Sequence, residues 1–286
     1  MAEGIALNGE EHAPGDTWEK DVAPAGAYID TARVRSYEVG RTGRIGAGTI
    51  LRYLEGIATE ASASAGFDTR WYERQNTAWV VRDMHLFIGA LPRIGEAITL
   101  ATWVADFKRV QAQREYMIQR ADGGRVVARA SARWAYIERT RGQPVRLHDE
   151  MVGAFRVLGH QMTPRHLAPL AEDDGALTRH ELLLTAREYE ADTQQHINNC
   201  IYADWLNEGL HLAVRSMPGW PANRVPHPRH LHIEYRRSAL PGDEIRVSTQ
   251  VVMRGMRGLR VRQEIASASD GNLYVAARSD YLAAAD

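Results

Sequence analysis

The sequence predicts an α+β fold made of two copies of one unit, each an antiparallel sheet packed on a long helix. Three observations carry this. Apolar residues recur at helical spacing in two places, at Ile50, Leu51, Leu54, Ile57, Ala58 and Ala61, and again at Ile201, Trp205, Leu206, Leu210 and Ala213. Each of these stretches is followed by segments rich in Val, Ile, Trp and Tyr that alternate as strands do. The third observation is an internal repeat. An offset of 147 carries Gly95-Glu96 onto Gly242-Asp243, Thr102 onto Thr249, Gly124 onto Gly271, Ala130 onto Ala277 and Trp134 onto Tyr281 without a gap. Upstream, an offset of 152 carries Tyr37-Glu38 onto Tyr189-Glu190 and Tyr53 onto Trp205.

Residues 1–30 are rich in Gly, Ala, Pro and acid and read as a mobile tail. The first unit spans 31–139. It opens with a strand over about 32–39 and continues with the helix from Thr49, for which Gly66 is the C-cap. Strands follow over 77–88, 97–106, 113–120 and 125–138, with Asp122-Gly123-Gly124 as a hairpin turn. Residues 140–178 form a linker rich in Pro and Gly, with a short helix over about 148–158. The second unit, 179–286, repeats the order: a strand near 182–190, a helix to about Val214, and strands from Arg229 onward.

The net charge of −1 excludes a general basic field for nucleic acid. A single cysteine, Cys200, excludes an internal disulfide and suits a reducing compartment. There is no run of 18 apolar residues for a membrane span, and the first residues show no secretory or transit pattern. The expected location is the cytoplasm. His227, His230 and His232 lie beside Pro226 and Pro228 at a strand start and are read as strand residues; neither a metal nor a cofactor is expected.

The chemistry concentrates in one stretch, Glu190 to Glu208. Asp192 and His196 stand four residues apart, just ahead of the second helix, with Asn198 or Asn199 as its N-cap. A helix start presents free N–H groups and a positive dipole end. The amides around Asn199 and Cys200 are therefore candidate oxyanion donors. A carboxylate, an imidazole and an anion-stabilising helix end together suit acyl chemistry. At the 152 offset, Asp192 falls on Gly40 and His196 on Arg44, so only the second unit carries the motif and one site per chain is expected.

The pattern D-x-x-x-H-I-N-N-x-x-Y-x-x-W, from Asp192 to Trp205, resembles the hot-dog thioesterases. Together with Arg35-Ser36-Tyr37-Glu38-Val39-Gly40, Trp79-Val80-Val81, Thr102-Trp103-Val104 and the two-unit length, it is most similar to the acyl-ACP thioesterases of plants and bacteria. The resemblance implies a tandem hot-dog fold, an internal pseudo-dimer that leaves room for a further homodimer. It implies hydrolysis of an acyl thioester on acyl carrier protein, within fatty acid biosynthesis. Asp192 would act as base or nucleophile and His196 would orient water, act as base or protonate the sulfur. Gln194, which stands where the plant proteins have Asn, and Asn198, which would touch substrate or order the loop, complete the expected catalytic set. The first unit would shape the acyl pocket, with Trp79, Met84, Trp103 and Met117 as lining or as plain core.

The chain also departs from that family. After Ile233-Glu234-Tyr235-Arg236-Arg237, Ser238 and Ala239 replace the plant Glu-Cys pair, so no Cys-based step carries over. Ser238 is a candidate to position water. Three readings remain open: hydrolysis of acyl-ACP, a hot-dog enzyme acting on a polyketide, aryl or CoA thioester by release or hydration, and a non-catalytic acyl-thioester-binding module. An acidic carrier would dock on arginines flanking the second unit: Arg215, Arg224, Arg229, Arg236, Arg237, Arg254 and Arg257.

Overall fold

The computed structural model describes residues 21–122, 124–161, 176–218, 220, 225–254 and 258–282. The chain forms β1 (Tyr28–Arg33), α1 (Ala47–Ser64), α2 (Thr69–Gln75), β2 (Thr77–Ile88), β3 (Ala97–Lys108), β4 (Gln111–Arg120) and β5 (Val126–Glu138). After α3 (Asp149–Ala154) come β6 (Thr178–Thr185), α4 (Asn199–Arg215), β7 (Pro228–Tyr235), β8 (Glu244–Arg254), β9 (Gly258–Ser267) and β10 (Leu273–Leu282). All ten strands join one antiparallel sheet in the order β1-β3-β4-β5-β2-β7-β10-β9-β8-β6. The fold is a double hot-dog.

The repeat read in the sequence is the symmetry of the fold. An offset of 147 carries β4 onto the full span of β9, and 152 carries the start of α1 onto the start of α4. The two half-sheets join where β2 pairs with β7, from Asp83↔Glu234 to Phe87↔His230. The two helices pack on each other and on the sheet, burying Leu51, Leu54, Ile57, Tyr202, Trp205 and Leu206 in one core. Gly209 lets α4 lie close to β8: a Cβ there would stand 2.9 Å from Thr249 Oγ1 and Val247 Cγ1.

Three boundaries differ from the sequence reading. The opening strands are β1 at Tyr28–Arg33 and β6 at Thr178–Thr185, so β1 begins inside the stretch expected as tail. The later residues of each expected strand, Ser36–Glu38 and Glu188–Glu190, are 3-10 turns. A local bond overrides strand propensity there: the Arg35 amide donates to Glu38 Oε2 at 2.7 Å and the Arg187 amide to Glu190 Oε2 at 2.8 Å. Helix α2 was not foreseen; Asp68 caps it by accepting from the Trp71 amide, and Asn76 ends it in the left-handed region. The expected tail over 1–20 and residues 162–175 of the linker lie outside the described residues.

Candidate active site

The turn before α4 is built by its own side chains. Asp192 Oδ1 accepts from the Gln194 amide at 2.7 Å, and the Asp192 amide donates to the His196 carbonyl at 2.8 Å. Gln195 takes the left-handed conformation (φ 62°) that closes the turn. Asn198 caps α4 by accepting from the Cys200 amide at 2.8 Å. The Asn198 amide donates to the Glu190 carbonyl at 2.9 Å. Of the expected oxyanion amides, those of Asn199 and Cys200, only that of Asn199 is uncommitted among the described residues. Cys200 is corrected in this role, because its N–H is taken by the cap.

Glu55, on the first unit's α1, meets this turn from the other side. Both of its carboxylate oxygens accept from Asn198 Nδ2 at 3.2 Å, and Cys200 Sγ donates to Oε2 at 3.1 Å. Burial first, and then the Glu55 charge, pushes the Cys200 thiol well above its ordinary value. The thiol is a buried donor rather than a nucleophile.

A cavity of about 280 Å³ opens beside this junction. Asp192, Thr193, Gln194 and Glu55 form part of its lining, and the first unit supplies the rest except Phe155, which follows α3 in the linker. Its aromatic wall comes from Tyr72, Trp79, Phe107, Trp134 and Phe155. Arg114, a buried residue of β4, also lines it. Burial pulls the Arg114 guanidinium down from the usual arginine value.

Of the four expected lining residues, Trp79 lines this cavity and the others lie elsewhere. Met84 is in the main core. Trp103 and Met117 belong to a separate cluster with Ala101, Ala105 and Val126, and Trp103 Nε1 donates to the His160 carbonyl at 2.7 Å. Alternation explains the split: Arg114 and Met117 on β4 are three residues apart and so face opposite sides of the sheet. His196 and Ser238 are exposed and outside the lining. Beside Ser238, the buried Ala239 amide donates to Tyr202 Oη at 2.8 Å and its carbonyl accepts from the Ile197 amide at 3.0 Å, bracing the turn.

The 152 offset also carries this turn onto a place in the first unit that lacks its side chains. A second cavity, of about 650 Å³, lies where Gly40–Arg44 of the first unit meets α4. Glu55 corresponds there to Asn207, Asp192 to Gly40 and Asn198 to Gly46, so both carboxylates and the cap are absent together. Glu55 was missed from the sequence because its helical neighbours alone gave it no partner. Its loss alongside Asp192 in the other copy was the available signal.

The histidines form a different cluster. His232 on β7 stacks on His85 of β2 with centroids 3.9 Å apart, and His230 stacks on Phe87. Donor atoms of Asp83, His85 and His232 lie within 4.8 Å of one another, a grouping that the sequence did not reveal. Asp83 already pairs with Arg133. Among the arginines read as a docking set, Arg215, Arg236 and Arg237 are exposed, and Arg236 pairs with Glu234. Arg229 donates to the Gly89 carbonyl at 2.7 Å. Arg224 and Arg257 lie outside the described residues, as does the Arg254 side chain. Among the described residues no helix is long and apolar enough to cross a membrane.

Residues 27–155 match the family model of the acyl-ACP thioesterase N-terminal domain, and residues 187–282 match that of the thioesterase-like superfamily. The chain belongs to the acyl-ACP thioesterase family. Chloroplastic oleoyl-acyl carrier protein thioesterase 1 of Arabidopsis thaliana is 24% identical over 226 residues, covering 73% of this chain and 61% of that protein. A chloroplastic palmitoyl-acyl carrier protein thioesterase of the same plant is 24% identical, over 63% of this chain and 46% of its own length. This chain therefore spans roughly half of these longer plant relatives. Among solved structures, a Lactobacillus plantarum protein provisionally named an oleoyl thioesterase superposes with a TM-score of 0.77 at 21% identity, covering 94% of this chain and all of that one. The 12:0-ACP thioesterase of Umbellularia californica gives 0.73 at 20% identity, over 89% of this chain and 93% of its own.

Proposed function

We propose that this acyl-ACP thioesterase family member hydrolyses an acyl thioester presented on acyl carrier protein, releasing a free acid and the carrier thiol. The observation that carries the reading is the cavity in which Asp192 and Glu55, from different units, both line the wall beside the α4 N-terminus. The acyl group lies in the first-unit cavity with its carbonyl at that junction. A carboxylate of the Asp192–Glu55 pair takes a proton from water as the water oxygen bonds to the carbonyl carbon. The Asn199 amide and the helix dipole stabilise the oxyanion. The C–S bond then breaks, and the proton that the carboxylate took from water passes to the leaving thiolate. The reaction needs no metal or cofactor, and its setting is the cytoplasm.

Thiol release from a panel of acyl-ACP and acyl-CoA esters, with wild type and Asp192→Ala, tests this. Turnover that disappears in the variant is the expected result. Acyl-ACP binding without turnover in wild type would replace hydrolysis with a binding role.

A further inference from the structure

Two arginines line the cavity, the partly exposed Arg139 and the buried Arg114, and the buried one does not fit an acyl chain made only of hydrocarbon. Arg114 is buried among the aromatic lining, where an unpaired charge is costly. Its guanidinium carbon lies 5.7 Å over the Phe155 ring, and Nη1 donates to Thr102 Oγ1 at 3.4 Å. Among the described residues it has no carboxylate partner. Tyr116 and Tyr72, whose hydroxyls burial keeps protonated, bring no negative charge to it. Ring face and hydroxyl leave a planar five-donor group without the anion it matches best.

Its place along the cavity is equally informative. Glu55 marks the reacting end of α1, through its bonds to Asn198 and Cys200. Ala58, Thr59 and Ser62 then line successive turns away from it. At 1.5 Å rise per residue, Ser62 stands roughly 10 Å beyond Glu55. Phe67, just past α1, donates its amide to the Ser62 carbonyl at 3.0 Å and stacks on Phe155 with centroids 5.8 Å apart, and Phe155 is the ring under Arg114. The guanidinium thus sits toward the end remote from the reacting carbonyl. The cavity, at about 280 Å³, lies at the small end of ligand pockets, which run from about 300 to 1,000 Å³.

We propose that Arg114 is a specificity residue that holds a carboxylate at the distal end of the acyl group. The substrate class is then a short or aromatic acyl thioester carrying a second, free carboxylate, flanked by Phe155, Trp79 and Trp134. A plain saturated chain would leave the guanidinium facing methyl groups and would be rejected on that ground. This deepens the thioesterase reading and rests on it for the orientation of the substrate.

Two measurements keep the proposals separable. The first is kcat/KM for matched pairs of carrier thioesters that differ only at the distal end, octanoyl against suberoyl and benzoyl against 4-carboxybenzoyl. Wild type is expected to favour the carboxylate member by about 10- to 100-fold, the range of a charged hydrogen bond. Arg114→Met is expected to lose that preference and Arg114→Lys to keep part of it. The second is calorimetric binding of terephthalate and benzoate to wild type, Asp192→Ala and Arg114→Met, each first checked for a native melting transition. Terephthalate binding that survives Asp192→Ala and is lost in Arg114→Met supports the anion site, even if no ester is hydrolysed. Hydrolysis without preference for the carboxylate member, or terephthalate binding unchanged in Arg114→Met, overturns it. If Arg114→Met does not fold, the wild-type preference and the Arg114→Lys ratio decide alone.

Discussion

Glu55 and Asn198 are 143 residues apart in the chain, and the Asn198 side-chain Nδ2 donates to both carboxylate oxygens of Glu55 at 3.2 Å. The contact joins the helix of one unit to the N-cap of the other. It makes the candidate site a property of the pair of units, with the motif from one and a carboxylate and most of the cavity wall from the other.

Glu55→Gln therefore tests the shared site. The amide keeps the size and can still bond to Asn198, but it takes no proton. Loss of about 10²-fold or more in kcat is expected, as for a positioned acid or base, with KM little changed. Unaltered kcat would confine the chemistry to the Asp192 turn.

Cys200 is held as a thiol by burial and by the adjacent Glu55 charge. Its raised value predicts slow reaction with a disulfide reagent at pH 8 in the folded protein and fast reaction in urea. Comparable rates in the two states would contradict the buried donor.

His230 sets a pH dependence of stability. Burial first, and then His85 and His232, lower it to about 3. Unfolded, it binds a proton near 6.5. Between those values the unfolded state holds more protons, so stability falls as pH drops from about 6.5 toward 3, by at most roughly 1.4 kcal/mol per unit. Urea titrations of wild type and His230→Phe across pH 4–7 should show a shallower slope for the variant. An equal slope would remove His230 as its source.

Carrier docking through the exposed Arg236 and Arg237 predicts that replacing both with Glu raises KM for an acyl-ACP several-fold, while KM for the matching pantetheine ester is unchanged. Equal effects on both substrates would place the arginines in folding or chemistry.

The repeat, the two helices and the second-unit motif were legible because each rests on local spacing: 3.6-residue periodicity on Leu51, Leu54 and Ile57, an N-cap at Asn198, and turn glycines in register at Gly124 and Gly271. The pocket was not. Trp79 and Trp103 look alike as aromatic strand residues, yet one lines the cavity and the other packs on the far face beside His160. Which face of a central strand carries substrate depends on what covers each side, and the sequence pattern does not state that.

By itself, then, the sequence determined two hot-dog units, one surviving Asp-His turn, and a fold built on an internal pseudo-dimer. Tertiary structure alone decided that Glu55 completes the turn, that Cys200 is capped and protonated, and that Arg114 faces the cavity. The physical reason is that local order follows from hydrogen bonds and apolar spacing within a few residues. A site is set by which distant side chains share one buried volume, and here that volume forms only when α1 of the first unit closes on the start of α4.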